Sequence, residues 1–140
     1  MGASGTGALH KSHHLSLTLR KDTLAICRLS HAAPVPNWAW NPGTFHTVSR
    51  TSDELSVVCL DSAVPDGVKK EAGWRILKVD GPLDFGLTGI LASVATPLAN
   101  AGISIFAIST YDTDYVMVKG DKVDAAVRVL GEAGHTIRDE

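Results

Sequence analysis

The 140-residue chain has few cysteines: Cys27 and Cys59 stand in no CxxC spacing. Two are too few for a disulfide scaffold, and both fall in segments that read as strands, so buried reduced thiols are expected. Charge of one sign is also lacking. Thirteen Lys and Arg face 15 Asp and Glu, a net charge of −2, and a chain without a basic excess does not suit nucleic acid. No apolar run approaches the ~18 residues that cross a bilayer. Met1 to His14 has no apolar core of a secretory signal. The expectation is a cytoplasmic protein with no nucleic-acid or membrane partner. What is present is a 44% apolar, 20% charged composition, that of a globular chain. Its length suits one ordinary domain or two very small ones.

Residues 1–13 read as a flexible tail, rich in Gly, Ser and Ala without periodicity. From Leu15, Leu17 and Leu19 alternate with polar residues, the period of a half-buried strand. Leu24–Leu29, Thr44–Thr51 and Leu55–Leu60 read as further strands. Between them Pro34, Pro36 and Pro42 remove three backbone donors around Trp38 and Trp40, which predicts an irregular packed loop with at most a short helical turn. Val64–Gly73 suits a short helix, with Pro65 near its start and Gly73 at its end. Trp74–Val79 reads as a strand. Ile90, Leu91, Val94, Ala95 and Leu98 fall on one helical stripe, stopped at Asn100-Ala101-Gly102, with Pro97 predicting a kink or a weak last turn. Ile103–Ser109 and Asp114–Val118 form a hairpin through Thr110–Thr113. Asp121 is placed to cap a last helix with Val123, Ala126, Val127 and Leu130 on its buried side, and Thr136–Arg138 can add an edge strand.

From Trp74 the order is strand, helix, strand, strand, helix, strand, the βαββαβ unit of ferredoxin-like folds. A 60-residue shift lays Val48-Ser49 on Ile108-Ser109, Val57-Val58 on Met117-Val118 and Asp61 on Asp121. The fold class expected is therefore α+β: two ferredoxin-like modules in tandem, with antiparallel sheets and helices on one face. The boundaries are 1–13 tail, 14–73 degenerate first module and 74–140 second module, with Pro34–Pro42 standing where the first module's helix belongs.

Two loops carry the chemistry. Asp80–Gly89 joins a strand to a helix N-terminus, where free N–H groups and the positive dipole end favour an anion. Gly86 permits close backbone approach, and Thr88 is placed to cap the helix. The loop lacks the Gly-Lys-Ser/Thr ending of a phosphate loop and the dinucleotide fingerprint, and an ordinary glycine-rich turn fits the same spacing. Ser109-Thr-Tyr-Asp-Thr-Asp114 puts Asp112 and Asp114 two residues apart, able to meet an ammonium or guanidinium. Aspartates that merely solvate a turn fit equally. If the two loops are neighbours, their charges suit a free α-amino acid. Other candidates are weaker. His10, His13 and His14 lie on the tail, His31 and His46 lack an evident nucleophile, Trp38, Trp40 and Trp74 read as core or interface anchors, and Lys69-Lys70 is too short for a phosphate-backbone patch.

Val79-Asp-Gly-Pro-Leu-Asp-Phe-Gly-Leu-Thr-Gly-Ile-Leu91, Pro97–Ile105 and Ile108–Val118 resemble the ACT domain family, small ligand-binding regulatory modules of amino-acid metabolism. The hairpin Ser109–Asp114 is similar to that of the CASTOR-type arginine sensors, and the chain resembles small bacterial tandem-ACT proteins. The resemblance covers about 60 residues, and before Trp74 it holds only in layout. It implies a non-catalytic sensor or regulatory protein without cofactor or metal, with an amino acid held between modules that pair side by side, and a homodimer. It carries Thr110, Tyr111 and Asp114 over as ligand contacts, with Asp114 at the cationic end, and Gly86 with its neighbours as the backbone side. The expected ligand-binding set is Asp84, Phe85, Gly86, Leu87, Thr88, Ser109, Thr110, Tyr111, Asp112 and Asp114. The alternatives are a small enzyme using Asp112 or Asp114 as general base, and an interaction module without a ligand.

Overall fold

The computed structural model describes residues 13–140. The tail expected at 1–13, with His10, lies outside the described residues except for His13. Among the described residues run eight strands and two α-helices: β1 (Ser16–Leu19), β2 (Leu24–Leu29), β3 (Thr47–Arg50), β4 (Leu55–Leu60), β5 (Lys69–Val79), α1 (Ile90–Asn100), β6 (Phe106–Ser109), β7 (Asp114–Lys119), α2 (Val123–Glu132) and β8 (Thr136–Asp139). The chain divides into two compact units, Lys21–Arg75 and a second made of the segment up to Arg20 with Ile76–Glu140. The long strand β5 contributes to both.

In the Lys21–Arg75 unit the strands run β3-β4-β2-β5, each pair antiparallel. Ala25, Cys27, Leu55, Val57 and Cys59 are buried together with Ala39 and Val64. Ala39 belongs to a single 3-10 turn, Asn37–Ala39. With Val35 and Trp38 packed on the same cluster, the proline-rich segment covers this sheet where a helix would otherwise lie. The cysteines are both free and buried. Trp74 is 8% exposed, as an anchor of the interior is expected to be.

The Val64–Gly73 helix is not formed. A 3-10 turn spans Asp61–Ala63, the backbone turns through Gly67 at φ +88°, and β5 has begun by Lys69. Gly73, read as a helix stop, is a bulge. Leu24 faces Trp74 whereas Ile26 faces Glu71, so β5 carries one extra residue there. Gly73 adopts φ +80°, which glycine reaches without a Cβ penalty. Its N–H donates to Asp61 Oδ2 at 3.1 Å. Pairing with β2 decided the segment, and no local signal in 64–73 announces that partner.

The second unit holds the βαββαβ order. Its sheet runs β6-β7-β5-β1-β8. The strand β1 lies between β5 and β8, antiparallel to β5 and parallel to β8. Leu17, Leu77, Val79, Val116 and Val118 point to one face and are buried with Ile90, Val94 and Leu98 of α1 and Val123, Ala126 and Leu130 of α2. Each such aliphatic side chain contributes ~1.5–3 kcal/mol by leaving water. Helix α1 runs through Pro97 to Asn100, and Gly102 follows at φ +75°. The two expected caps are absent. The N-cap of α1 is Gly89 rather than Thr88, and α2 follows a 3-10 turn, Gly120–Lys122, that contains Asp121, with no side-chain cap bond in either case. No helix among the described residues is long and apolar enough to cross a membrane.

Candidate ligand-binding pocket

The two loops singled out in the sequence meet. The Leu83 N–H donates to the Asp112 carbonyl at 2.8 Å, which ties the β5–α1 loop to the hairpin turn. The Thr113 hydroxyl, 4% exposed, donates to the Val79 carbonyl at 2.6 Å and fastens the same turn to the end of β5. Gly81 is the crowded point of this junction. A Cβ there would stand 3.1 Å from Leu83 N and 3.3 Å from both Asp112 O and Thr113 Cβ. Within the hairpin, the Thr110 N–H donates to the Thr113 carbonyl at 2.9 Å.

These contacts leave a cavity of about 200 Å³ lined by Asp84, Phe85, Leu87, Ser109, Thr110, Tyr111, Asp112 and Asp114, with Leu83, Ile90 and Thr113. Eight of the ten expected residues line it. Gly86 and Thr88 do not, and Leu83, Ile90 and Thr113 were not anticipated. Thr113 had a signal in its position between the two aspartates. Ile90 read only as helix core.

The electrostatics differ from a balanced amino-acid site. Three lining residues are aspartates and none is basic. The anion-binding role expected of Gly86 is filled from within, because its N–H donates to Asp84 Oδ1 at 3.0 Å. The Leu87 N–H closes the same turn on the Asp84 carbonyl at 3.0 Å. Thr88 turns outward from this function too, its carbonyl accepting from His13 Nε2 at 2.9 Å. At the base of the hairpin the Ser109 hydroxyl donates to Oδ1 of Asp114, its cross-strand neighbour, at 2.5 Å. At the rim the rings of Phe85 and Tyr111 lie 5.4 Å apart at 37° although they are 77% and 83% exposed. Carboxylates that share a cavity with an aromatic pair attract a cation, above all a planar guanidinium.

Among the described residues, none of the remaining sequence candidates lines this pocket. His46 packs edge-on against Trp40 at 5.4 Å. Lys70 pairs with Asp61 at 3.1 Å. The His31 carbonyl accepts from Arg50. His14 sits against Gly134.

A ferredoxin-like α+β unit with a loop-and-hairpin pocket at one end of its sheet is the architecture of a small regulatory module. A family model described as "ACT domain" matches residues 69–132, and a model of an N-terminal domain matches residues 22–67. Over residues 69–132 the chain belongs to the ACT domain family. It is 37% identical to protein Atu0741 from Agrobacterium tumefaciens, whose crystal structure superposes with a TM-score of 0.86 over 92% of this chain and 96% of that one. The human "Cytosolic arginine sensor for mTORC1 subunit 1" is 41% identical over 58 residues, which is 41% of this chain and 18% of that protein. The chain thus spans under a fifth of the length of the curated relatives it matches. The aspartate kinase of Clostridium acetobutylicum shares the fold, at a TM-score of 0.60 and 15% identity over 81% of this chain and 33% of that one.

Proposed function

We propose that this is a non-catalytic regulatory protein that binds a cationic amino acid, with arginine as the first candidate. The observation that carries the reading is the pocket's composition: Asp84, Asp112 and Asp114 with no basic residue, together with the Phe85–Tyr111 ring pair. Asp114 meets the guanidinium, and the aromatic pair covers its plane. The name of the human relative, an arginine sensor, supports the same ligand. In this reading the chain is a tandem of ACT-like modules with residues 14–73 as the degenerate first copy, and a second module completes the open side of the pocket. It acts as a cytoplasmic homodimer whose ligand-favoured state a partner protein reads. The strand β6 supports the dimer, since among the described residues it pairs with β7 alone and carries half-buried Phe106 and Ile108.

Calorimetry with arginine, lysine, citrulline and alanine tests the reading. Arginine should bind best. Citrulline, which replaces the guanidinium by a neutral urea of the same shape, should bind at least about tenfold more weakly. Asp114→Asn should weaken arginine by a similar factor. Absence of any thermal shift with millimolar amino acids would remove the sensor reading, and turnover of arginine would remove its non-catalytic part. A monomer in sedimentation at micromolar concentration would remove the dimer.

A further inference from the structure

A second cavity uses the same hairpin turn from a different side chain set. It measures about 180 Å³ and shares Thr110, Asp112 and Thr113 with the acidic pocket, but its other walls include Lys78 and Tyr115. We propose that it is an anion site centred on the Lys78 ammonium, for a small oxyanion such as a carboxylate or a phosphate.

The placement follows from strand alternation. Leu77 and Val79 are in the core beneath the helices, so Lys78 between them points to the opposite face. Val116 is in the same core, so Tyr115 also lies on that opposite face. There the Lys78 Nζ stands 6.0 Å from the centre of the Tyr115 ring. Thr18 is the cross-strand neighbour of Lys78. The acidic residue next along this face of β5, Asp80, is already committed. Its Oδ1 accepts from the Thr18 hydroxyl at 2.7 Å and its Oδ2 lies 3.4 Å from Arg138 Nε. Among the described residues Lys78 makes no ion pair.

The Lys78 side chain is half-buried, lines the cavity and pairs with no carboxylate among the described residues. A bound oxyanion supplies that partner through a charge-assisted hydrogen bond. The cavity is smaller than the roughly 300–1,000 Å³ of a drug-sized site, which limits the ligand to a compact ion. Asp112 is the one acidic group on its lining and opposes an anion. A cation held in the neighbouring pocket neutralises Asp112, so the two ligands should favour each other reciprocally. That coupling rests on the cationic-amino-acid reading; the anion site does not.

The test titrates the purified full chain, at low ionic strength and without arginine, with inorganic phosphate and separately with malonate. Melting temperature is read against sodium chloride of matched ionic strength. Both oxyanions should raise it saturably, and the relative size of the two shifts distinguishes phosphate from carboxylate as the preferred ligand. Lys78→Met, which keeps the stem, should weaken the response about tenfold, Lys78→Arg should retain it, and Asp112→Asn should strengthen it. Lys122→Met, an exposed lysine away from the cavity, should leave it unchanged. An equal response in Lys78→Met, or no saturable response to either oxyanion, overturns the site. Because arginine is absent, failure of the arginine reading leaves this result unaffected. If Lys78→Met does not fold, a response unchanged in Asp112→Asn counts against the site in its place.

Discussion

His135 Nε2 lies 2.8 Å from the Ser93 carbonyl oxygen, the acceptor that Pro97 leaves without a helical donor four residues on. The same imidazole accepts the Leu15 N–H on Nδ1 at 3.0 Å. Two one-way partners, a carbonyl and an N–H, fix the tautomer with its proton on Nε2. The ring is 6% exposed, so removing it strands both groups. His135→Leu should cost about 2 kcal/mol or more. The control is Pro97→Ala, which returns an N–H to the helix. In that background the cost of His135→Leu should shrink, as measured by a double-mutant cycle in urea. Equal costs in both backgrounds would show that His135 does not act through the Ser93 carbonyl.

The Thr113 hydroxyl is the buried link between the hairpin turn and β5. Thr113→Val keeps the shape and leaves the Val79 carbonyl without that donor, for a loss of about 1 kcal/mol. Thr113→Ser should keep most of the bond. Affinity for arginine should fall with Thr113→Val more than with Thr113→Ser, because the turn also positions Asp112 and Asp114. Calorimetry on the two variants compares them.

A methyl group on Gly81 would press 3.1–3.3 Å against the backbone of Leu83 and Asp112 and the Cβ of Thr113, which must yield by a few tenths of an ångström. Gly81→Ala should destabilise by about 1–3 kcal/mol through overpacking. It should also open the Leu83–Asp112 junction and weaken ligand binding. Gly86→Ala, where the nearest atom is Asp84 Oδ1 at 3.6 Å, should be tolerated. Urea melts of the pair provide the comparison.

Burial pushes the Cys27 thiol up from 9.0 to about 11, with a contribution from Cys59. Burial also raises Cys59. An unfolded chain releases these protons near pH 9 while the folded chain still holds them. Stability should therefore be unaffected by these groups below pH 9 and should decline as pH rises from about 9 to about 11. Urea midpoints across that range measure the slope, and Cys27→Ala should flatten it.

Where periodicity was strong and the partner faces were local, the sequence was readable. Leu24–Leu29 forms the strand read there, and Ile90–Asn100 falls where the helical stripe puts it. The hairpin turn is 110–113, and its aspartates announce themselves because a polar run between two apolar strands has no packing role. Residues 64–73 mislead because Pro65 and Gly73 punctuate a strand bulge as well as they punctuate a helix. Thr88 and Asp121 have cap chemistry, but the chain reaches both helices through other turns. Gly86 looked like the anion contact, and only the fold shows that Asp84 satisfies it.

The sequence by itself determined the βαββαβ order, the two loops and their acidic residues, because these follow from local periodicity and turn chemistry. Tertiary structure alone decided that β1 enters the second unit between β5 and β8. Strand partners far apart in the chain are selected by the sheet as a whole. It also decided the sign of the pocket. Which amides remain available, and which carboxylates face one space, depends on hydrogen bonds between segments that no spacing in one segment records.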